Sequence, residues 1–298
     1  MDPIQVAPNL YLIPLEQDLS GFTAFISAWV YTGNQTLLVD VGPANTVPVL
    51  VKALEKLAIR RLDAILLTHL HIDHAGGTGY FIRHFPDTPI VCHESGLRHL
   101  TDPARLWQGS LKTLGATALA YGPIQPVPLH LLCSAAKFRK HGVESILTPG
   151  HAAHHVSFFL KPYLFAGEAG GVFIDIPGND VYLRPATPPK FHLETYLKSI
   201  DALLTKNPTT ICYGHYGLSE NAAGMLAAHR KQILLWKQII TEEFDRKNAK
   251  NFLEVCSHRL ISEDPCLKSF SKMDASVQDR EKGFMQNSIK GFTGYLSE

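Results

Sequence analysis

The chain has 298 residues, of which 45% are hydrophobic, and this is enough for one large domain with a sizeable core. Its 28 basic and 27 acidic residues give a formal net charge of +1. This balance argues against nucleic acid as a partner, because nucleic-acid-binding domains usually carry a clear basic excess. No apolar run reaches the roughly 18 residues of a membrane helix, so we expect no membrane partner.

The N-terminus and the cysteines both bear on localisation. Residues 1–5 lack the basic start and apolar stretch of a signal peptide. The five cysteines are widely spaced and form no C-x-x-C motif, which is typical of reduced, packed thiols. Together these features predict a cytoplasmic protein.

The first part of the chain predicts a mixed sheet with helices outside it. Apolar runs of strand length lie at 10–15, 22–31, 36–41, 63–68 and 89–92. Gly33-Asn34 separates the second and third runs as a hairpin turn would. Thr46 can cap a helix whose apolar stripe ends near Ala58, and a further helix is predicted around 80–84.

The segment from about 94 to 142 differs in composition. It contains several prolines and glycines, and its only clear periodicity predicts a helix near 106–114. We interpret it as an insertion that lies over the sheet and covers the functional site, because long irregular segments often form lids or pocket walls.

Strand and helix signals alternate again in the second half. Strands are predicted at 145–148, 156–160, 163–166 and 209–213, with a helix at 193–205 before the last of them. Beyond 219 the chain is predicted to be helical. Its apolar stripe consists of Leu226, Ile233, Trp236, Ile240 and Phe244. This stripe favours packing onto the main domain, and a homodimer contact through these helices is the alternative.

Metal-binding side chains cluster directly after the strand predicted at 63–68. Within six residues the chain carries His69, His71, Asp73 and His74. Gly76 and Gly77 follow, and glycine lets the backbone turn sharply. Imidazoles and carboxylates are the usual nitrogen and oxygen ligands of zinc. The pattern therefore predicts a metal site rather than a solvated loop.

Three later residues can complete such a site. His151, Glu168 and His215 each lie in a glycine-containing loop after a predicted strand. Strand ends at one edge of a sheet converge, and ligand sites of α/β proteins form at that edge.

These motifs resemble a known family of enzymes. The segments H-x-H-x-D-H at 69–74, P-G-H at 149–151, G-E-A-G at 167–170 and G-H-Y-G at 214–217 are similar to those of the metallo-β-lactamase-fold hydrolase superfamily. Within it, the chain looks most like a cytosolic branch that includes lactonases and hydroxyacylglutathione hydrolases. The resemblance covers about residues 6–217.

The resemblance implies an α/β fold, a four-layered αββα sandwich with a C-terminal helical extension. Residues 1–218 would form the catalytic domain, with the insertion at about 94–142. Residues 219–298 would form the extension, packed on the same domain.

The resemblance also implies a ligand set for two divalent metal ions. His69, His71 and His151 would bind the first ion, and Asp73, His74 and His215 the second. Glu168 would bridge them, although the family usually has aspartate there. Zinc is the preferred metal, with iron and manganese as alternatives.

The function expected from this set is hydrolysis of a small-molecule ester, thioester or lactone by a metal-bridging hydroxide. Asp73 would be catalytic, holding one metal and orienting the hydroxide. Two alternatives remain open: a mononuclear iron sulfur dioxygenase of the same fold, and a binding or regulatory protein without turnover. Antibiotic hydrolysis and nuclease activity are disfavoured.

Several further residues have candidate roles around the site. Asp40 and Asp63 can orient metal-binding imidazoles, since such rings usually donate their second N–H to a carboxylate or carbonyl. His154 and His155 are interpreted as packed or solvated residues, with contact to substrate as the alternative. Trp107, Tyr121 and Tyr216 are interpreted as packing aromatics, with lining of a substrate pocket as the alternative.

Overall fold

The structure is a computed structural model that describes residues 2–140, 142–176, 178, 180–246 and 251–297. Its strands are β1 (Ile4–Ala7), β2 (Leu10–Pro14), β3 (Ser27–Thr32), β4 (Thr36–Val39), β5 (Ala64–Leu66), β6 (Ile90–Cys92), β7 (Leu132–Ser134), β8 (Glu144–Leu147), β9 (Val156–Leu160), β10 (Tyr163–Gly167), β11 (Val172–Ile176), β12 (Asp180–Arg184), β13 (Thr210–Tyr213) and β14 (Leu218–Ser219).

The α-helices are α1 (Val47–Lys56), α2 (Ile72–Ala75), α3 (Thr78–Phe81), α4 (Gly96–Thr101), α5 (Ala104–Leu114), α6 (Ala116–Tyr121), α7 (Leu193–Leu204), α8 (Ala222–Asp245), α9 (Phe252–Glu263) and α10 (Ala275–Leu296). Short 3-10 helices lie at Ala44–Thr46, Leu129–Leu131, Pro265–Leu267 and Phe270–Lys272. Among the described residues, no helix combines the length and the apolar character needed to cross a membrane.

The strands form two large sheets and one hairpin. The first sheet has the order β1-β2-β3-β4-β5-β6-β7, antiparallel up to β4 and parallel from β4 to β7. The second sheet has the order β14-β13-β10-β9-β8, in which β10 and β13 are parallel. Strands β11 and β12 pair with each other as an antiparallel hairpin.

The two sheets pack face to face, because alternate residues of their strands are apolar on the inner side. One buried cluster contains side chains from both sheets, among them Trp29, Leu37 and Leu66 of the first and Phe158 and Phe165 of the second. The residues between these positions point to the outer faces, as Leu38 and Leu164 do.

Helices cover both outer faces. Helix α1 buries Leu50 and Leu54 against the first sheet. Helices α7 to α10 pack in one cluster with the outer side of the second sheet, through residues such as Ile200, Trp236 and Phe292. The layers therefore run helix, sheet, sheet, helix, and the predicted αββα sandwich with a C-terminal helical region is confirmed.

The helical stripe beyond 219 packs mainly inside the molecule. Leu226, Ile233, Trp236 and Ile240 are buried on α8, while Phe244 is 39% exposed. This agrees with the core-packing interpretation. A homodimer contact through the C-terminal helices stays a prediction.

The structure corrects the sequence interpretation in several elements. The segment 94–142 does not only lie over the sheet, since Leu132–Ser134 is the edge strand β7 and pairs in parallel with β6. The run predicted as a strand at 22–31 becomes regular only at Ser27, because Ala24 adopts a positive φ of 48° and its amide binds Glu16. Thr46 precedes α1, but its hydroxyl donates to the Pro43 carbonyl and does not cap the helix. The hairpin β11–β12 was not predicted.

Candidate metal centre

The predicted site residues lie at one edge of the sandwich, each just beyond a strand or at the start of a helix. The loop after β5 carries His69, and His71 precedes α2, whose first turn holds Asp73 and His74. His151 lies before β9. Glu168 and His215 follow the parallel strands β10 and β13, whose carboxyl ends meet at this edge.

Glycines at the ends of β10 and β13 allow these two strands to approach closely. The Gly214 amide donates to the Gly167 carbonyl over 2.9 Å. A Cβ atom on Gly214 would lie 2.9–3.0 Å from the backbone of Gly167, which is closer than real Cβ atoms pack. Only glycine permits this backbone contact. It brings Glu168 and His215 next to each other.

The first sheet also supports His215. Its carbonyl accepts a hydrogen bond from the Ser27 hydroxyl, and the Trp29 indole donates to the Tyr213 carbonyl over 2.9 Å. The Phe25 ring stacks on the His215 imidazole with centroids 4.2 Å apart. Contacts from the β2–β3 region therefore fix a ligand candidate that belongs to the other sheet.

The structure brings all seven predicted ligands together in two groups. Within each group the potential ligand atoms all lie within 4.8 Å of one another. The first group contains His69, His71, His151 and Glu168, and the second contains Asp73, His74 and His215. For the histidines and Asp73 this division matches the one implied by the family resemblance, while Glu168, expected as a bridge, falls in the first group.

The first group converges on a single point. His71 Nδ1 lies 3.1 Å from His69 Nε2 and 2.9 Å from His151 Nε2. Glu168 Oε2 lies 3.2 Å from His69 Nε2 and 2.8 Å from His151 Nε2. Ligand atoms of a tetrahedral zinc ion, with bonds of about 2.0–2.1 Å, stand roughly 3.3 Å apart. The observed spacing is close to this.

Glu168 connects the two groups. Its Oε1 lies 3.1 Å from His215 Nε2, while its Oε2 faces the first group and lies 3.7 Å from His74 Nε2. The carboxylate is therefore within reach of imidazoles from both groups, as a bridging ligand would be. The longer glutamate side chain reaches the position that the resemblance assigned to aspartate.

An orphaned nitrogen supports a cation in the second group. His74 Nε2 is buried and has no hydrogen-bond partner among the described residues. It faces Asp73 Oδ2 at 3.8 Å. A buried polar atom without a partner is costly unless something binds it, and imidazole nitrogen with carboxylate oxygen suits a divalent transition metal. The residues present thus fit divalent metal binding.

Asp40 orients rings of both groups. Its Oδ2 accepts from His74 Nδ1 over 3.0 Å and from the Thr68 hydroxyl over 2.8 Å. The same hydroxyl lies 3.1 Å from His69 Nδ1, and the Thr68 amide donates to Asp40 Oδ1 over 2.8 Å. Asp40 therefore holds His74 directly and His69 through Thr68, as predicted for an outer partner of metal-binding imidazoles.

Asp63 does not share this role. Its carboxylate accepts from the Thr36 amide over 2.8 Å, at the opposite end of the neighbouring strands. The prediction that Asp63 orients a metal ligand is therefore wrong. Another imidazole, His151, is oriented by the backbone instead, since its Nδ1 lies 2.9 Å from the Ala186 carbonyl.

Charge and burial set the protonation of the cluster. Burial lowers the pKa of His69 well below its usual value and that of His71 to about 3. Burial also opposes protonation of His74, but the carboxylates of Asp73 and Asp40 outweigh it and raise the pKa to about 9. Glu168 is held ionised, because the imidazoles of His151 and His215 outweigh burial and keep its pKa well below the usual range.

The centre is partly accessible to solvent. His69, His74, Glu168 and His215 are buried. The side chain of Asp73 is 18% exposed and that of His151 11%, and His71 is also partly accessible. Solvent therefore reaches the centre at these three residues.

The structure shows contacts around the centre that the sequence did not predict. His155, interpreted as packed or solvated, is fully buried and accepts the Glu168 amide at Nε2 over 3.0 Å. The Tyr196 hydroxyl donates to the Glu168 carbonyl over 3.0 Å. His154 Nδ1 accepts from the Leu70 amide over 3.3 Å. No local pattern marks these contacts, which join residues far apart in the chain.

The candidate pocket aromatics have different settings. Tyr121 on α6 is buried, whereas Trp107 on α5 and Tyr216 after His215 are half-buried. Burial raises the pKa of Tyr121, and the Asp73 carboxylate acts in the same direction. Of these three residues, Tyr121 is thus the one whose hydroxyl interacts electrostatically with a predicted metal ligand.

Comparison with protein families places this site in a known context. The model of the metallo-beta-lactamase superfamily matches residues 22–215, which include every residue of the two groups. The chain belongs to the metallo-beta-lactamase superfamily. No matched position lies in helices α8 to α10, which follow the family segment.

Individual relatives agree with this assignment. The chain is 27% identical over 237 residues to the metallo-beta-lactamase fold-containing protein ST1585 of Sulfurisphaera tokodaii, covering 73% of this chain and 82% of that protein. It is 30% identical over 160 residues to the hydroxyacylglutathione hydrolase of Yersinia enterocolitica, covering 54% of this chain and 50% of that enzyme. The match thus spans only half of the hydrolase.

A solved structure extends the likeness to the C-terminal helices. The crystal structure of ST1585 superposes with a TM-score of 0.69 at 21% identity, covering 96% of this chain and 98% of that one. At this identity the likeness concerns the fold alone. Superfamily membership and the hydrolase relatives support the assignment of the chain as a metal-dependent hydrolase.

Proposed function

We propose that the protein is a dinuclear metal-dependent hydrolase that cleaves an ester, thioester or lactone of a small molecule. The observation that carries this proposal is the meeting of two ligand groups at Glu168, whose two carboxylate oxygens face imidazoles of both groups. A single-ion site would need only one of these groups. The second group, with its orphaned His74 nitrogen, supports a second cation.

The chain's own residues define where the reaction takes place. His69, His71 and His151 would hold one cation, Asp73, His74 and His215 the other, and Glu168 both. When bound, a pair of divalent ions supplies Lewis-acid polarisation of a carbonyl and lowers the pKa of a water to about 7. Zinc is the ion we propose, because nitrogen and carboxylate ligands at this spacing suit it.

Asp73 is the residue that we propose as catalytic. Its side chain is 18% exposed, whereas Glu168, the other carboxylate of the set, is buried. An accessible carboxylate at the centre can orient the attacking water and take up its proton. Glu168 is enclosed by buried donors, so Asp73 is the accessible one of the two carboxylates among the seven residues.

The relatives suggest which substrates to test first. Several are named hydroxyacylglutathione hydrolases, so thioesters head the panel, followed by lactones and simple esters. We propose a small-molecule substrate in a cytoplasmic setting.

Metal analysis with a substrate panel tests this function. Purified protein should contain close to two zinc ions per chain and hydrolyse at least one compound of the panel. Asp73→Ala should lose most activity, by about 100-fold or more, since general acid–base groups contribute this much. One iron per chain, with oxygen consumption in place of hydrolysis, would favour the sulfur dioxygenase alternative. Binding of an acyl compound without product would favour the non-catalytic one.

A further inference from the structure

Glu168 is held by its backbone from two sides. Its amide donates to His155 Nε2 over 3.0 Å, and its carbonyl accepts from the Tyr196 hydroxyl over 3.0 Å. His155 and Tyr196 are both essentially inaccessible, at 0% and 1% exposure. The peptide groups on either side of this residue are therefore fixed in a dry environment, where hydrogen bonds are strong.

The His155 side of this contact continues into the second sheet. His155 Nδ1 lies 2.8 Å from the Thr148 hydroxyl, which in turn lies 3.0 Å from the Ser157 hydroxyl. Ser157 donates to the Ala166 carbonyl over 3.0 Å. Because Nε2 accepts the Glu168 amide, the ring proton belongs on Nδ1, and Thr148 is its acceptor. The tautomer of His155 is thereby defined.

The Tyr196 side continues into the C-terminal helices. The Tyr196 oxygen lies 3.0 Å from His229 Nε2 on α8, and His229 Nδ1 lies 3.1 Å from Gln232 Oε1. The Gln232 amide nitrogen donates to Asp264 Oδ2 over 2.7 Å and to the Leu183 carbonyl over 2.6 Å. Trp236 also donates to Asp264 Oδ2, over 2.7 Å.

This chain of contacts fixes the direction of the hydrogen bonds from Asp264 to His229. Gln232 uses both amide protons on oxygen acceptors, so its carbonyl must accept the Nδ1 proton of His229. His229 Nε2 then presents a lone pair, so the single Tyr196 proton faces two acceptors at 3.0 Å, the Glu168 carbonyl and His229 Nε2, in a bifurcated contact. The tyrosine oxygen is held from both sides by buried groups.

We propose that His155, Tyr196 and His229 are positioning residues for Glu168, and that helix α8 acts on the metal centre through them. The contacts of the Glu168 carboxylate hold the far end of its side chain, and the contacts of its amide and carbonyl hold the near end, so together they limit the torsions between the two ends. We call the two contacts that His155 and Tyr196 make with the Glu168 backbone the clamp. Part of the C-terminal region, outside the family-matched segment, thus takes part in shaping the metal site.

This inference rests on the proposed function only in that Glu168 is taken as a metal ligand. The test compares Tyr196→Phe, which deletes only the clamping hydroxyl, with Tyr213→Phe. Tyr213 is equally buried, but its hydroxyl has no hydrogen-bond partner among the described residues. Chelator-treated protein is titrated with Co²⁺, and the visible absorption spectrum and dissociation constants are recorded, with thermal unfolding as a check of folding.

We expect Tyr196→Phe to bind Co²⁺ about 10- to 100-fold more weakly than wild type and with an altered spectrum, as outer partners of metal ligands do when removed. Tyr213→Phe should match wild type. His155→Gln, whose amide can accept from Glu168 and donate to Thr148, should retain more affinity than His155→Leu. This pair keeps the test decisive if Tyr196→Phe does not fold.

The outcomes separate the two proposals. Wild-type affinity and spectrum in Tyr196→Phe, or equal behaviour of His155→Gln and His155→Leu, would overturn the clamp and leave the hydrolase proposal standing. If wild-type protein takes up no Co²⁺ at all, the proposed function is overturned, and the clamp with it.

Discussion

Asp40 is the residue on which both ligand groups depend. It is 2% exposed, adopts a positive φ of 57°, and accepts hydrogen bonds from His74 and from both donor groups of Thr68. A positive φ is costly for a residue other than glycine, and such strain persists only where the surroundings enforce it. The three accepted bonds are what hold Asp40 there.

Asp40→Asn should weaken metal binding by about 10- to 100-fold. The amide keeps one oxygen acceptor, and its NH₂ group must face either the Thr68 amide or the pair formed by His74 and the Thr68 hydroxyl, so at least one of the three accepted bonds is lost and the rings are held less firmly. Metal content after dialysis against a graded chelator measures the effect. Asp63→Asn is the matched control, because it retains an acceptor for the Thr36 amide and touches no ligand. Equal loss in both variants would contradict the role given to Asp40.

At the scale of elements, a buried ion cluster joins α10 to strand β12. Glu281 binds Arg184 and Arg280, and the three side chains are 0%, 3% and 4% exposed. Arg280 also donates to the Gly21 carbonyl and lies over the Phe25 ring, 3.9 Å from its centroid. Since Phe25 stacks on His215, α10 packs directly behind the second ligand group.

Glu281→Gln should lower the free energy of unfolding by about 3–5 kcal/mol, because it leaves two buried guanidinium groups without a counter-charge. Denaturant unfolding of the metal-free protein measures the change. Glu263→Gln is the control. It removes an ion-pair partner of Arg259, but the Glu263 side chain is 42% exposed. The free energy of unfolding should therefore fall by less than about 1 kcal/mol. A small effect in both would show that the buried cluster contributes little.

The elements that were predicted well are those with a clear local apolar pattern. Helix α1 and strands β9 and β10 lie close to their predicted bounds, because α1 has an apolar stripe of helical period and the two strands are short apolar runs. Strand β7 has only three residues, which is too short to show a period, and it lies in a proline-rich segment. The hairpin β11–β12 follows Gly170-Gly171 and was obscured by the site motif before it.

At the scale of the whole molecule, the sequence indicates the seven candidate ligands and Asp40, but not the other groups that hold them. The ligands stand in short motifs after strands, and a single sequence shows such motifs directly. Tyr196 and His229 act through contacts between elements far apart in the chain. No local pattern encodes them, and only the packing of α7 and α8 onto the second sheet brings them together.

The buried histidines make stability depend on pH in the metal-free protein. Burial lowers the pKa of His69, His71, His154, His155 and His229. In the unfolded chain these rings bind protons below about pH 6.5, whereas in the fold they stay neutral. Stability is therefore lost as pH falls from about 6.5 toward 3–4. His74 and His151, whose pKa values are raised, oppose this.

Five groups against two predict a net loss on acidification. His71 alone, with a pKa of about 3, should cost up to about 2 kcal/mol between pH 7 and pH 5. Urea unfolding of chelated protein at the two pH values, followed by tryptophan fluorescence, measures it. His229→Gln, in which one such ring is removed away from the ligand groups, should show a shallower dependence. A midpoint that rises on acidification would contradict the prediction.

The ligand groups draw on both sheets, with His69 to His74 from the first and His151, Glu168 and His215 from the second. An ion bound between them would act as a removable cross-link over a loop of some eighty to one hundred and fifty residues, much as a disulfide staples two distant parts of a chain. The five cysteines are free, so the described structure has no covalent tie of this kind. Resistance to heat and proteases should consequently increase with the metal occupancy of the protein. The same centre would then act both in catalysis and as a structural cross-link.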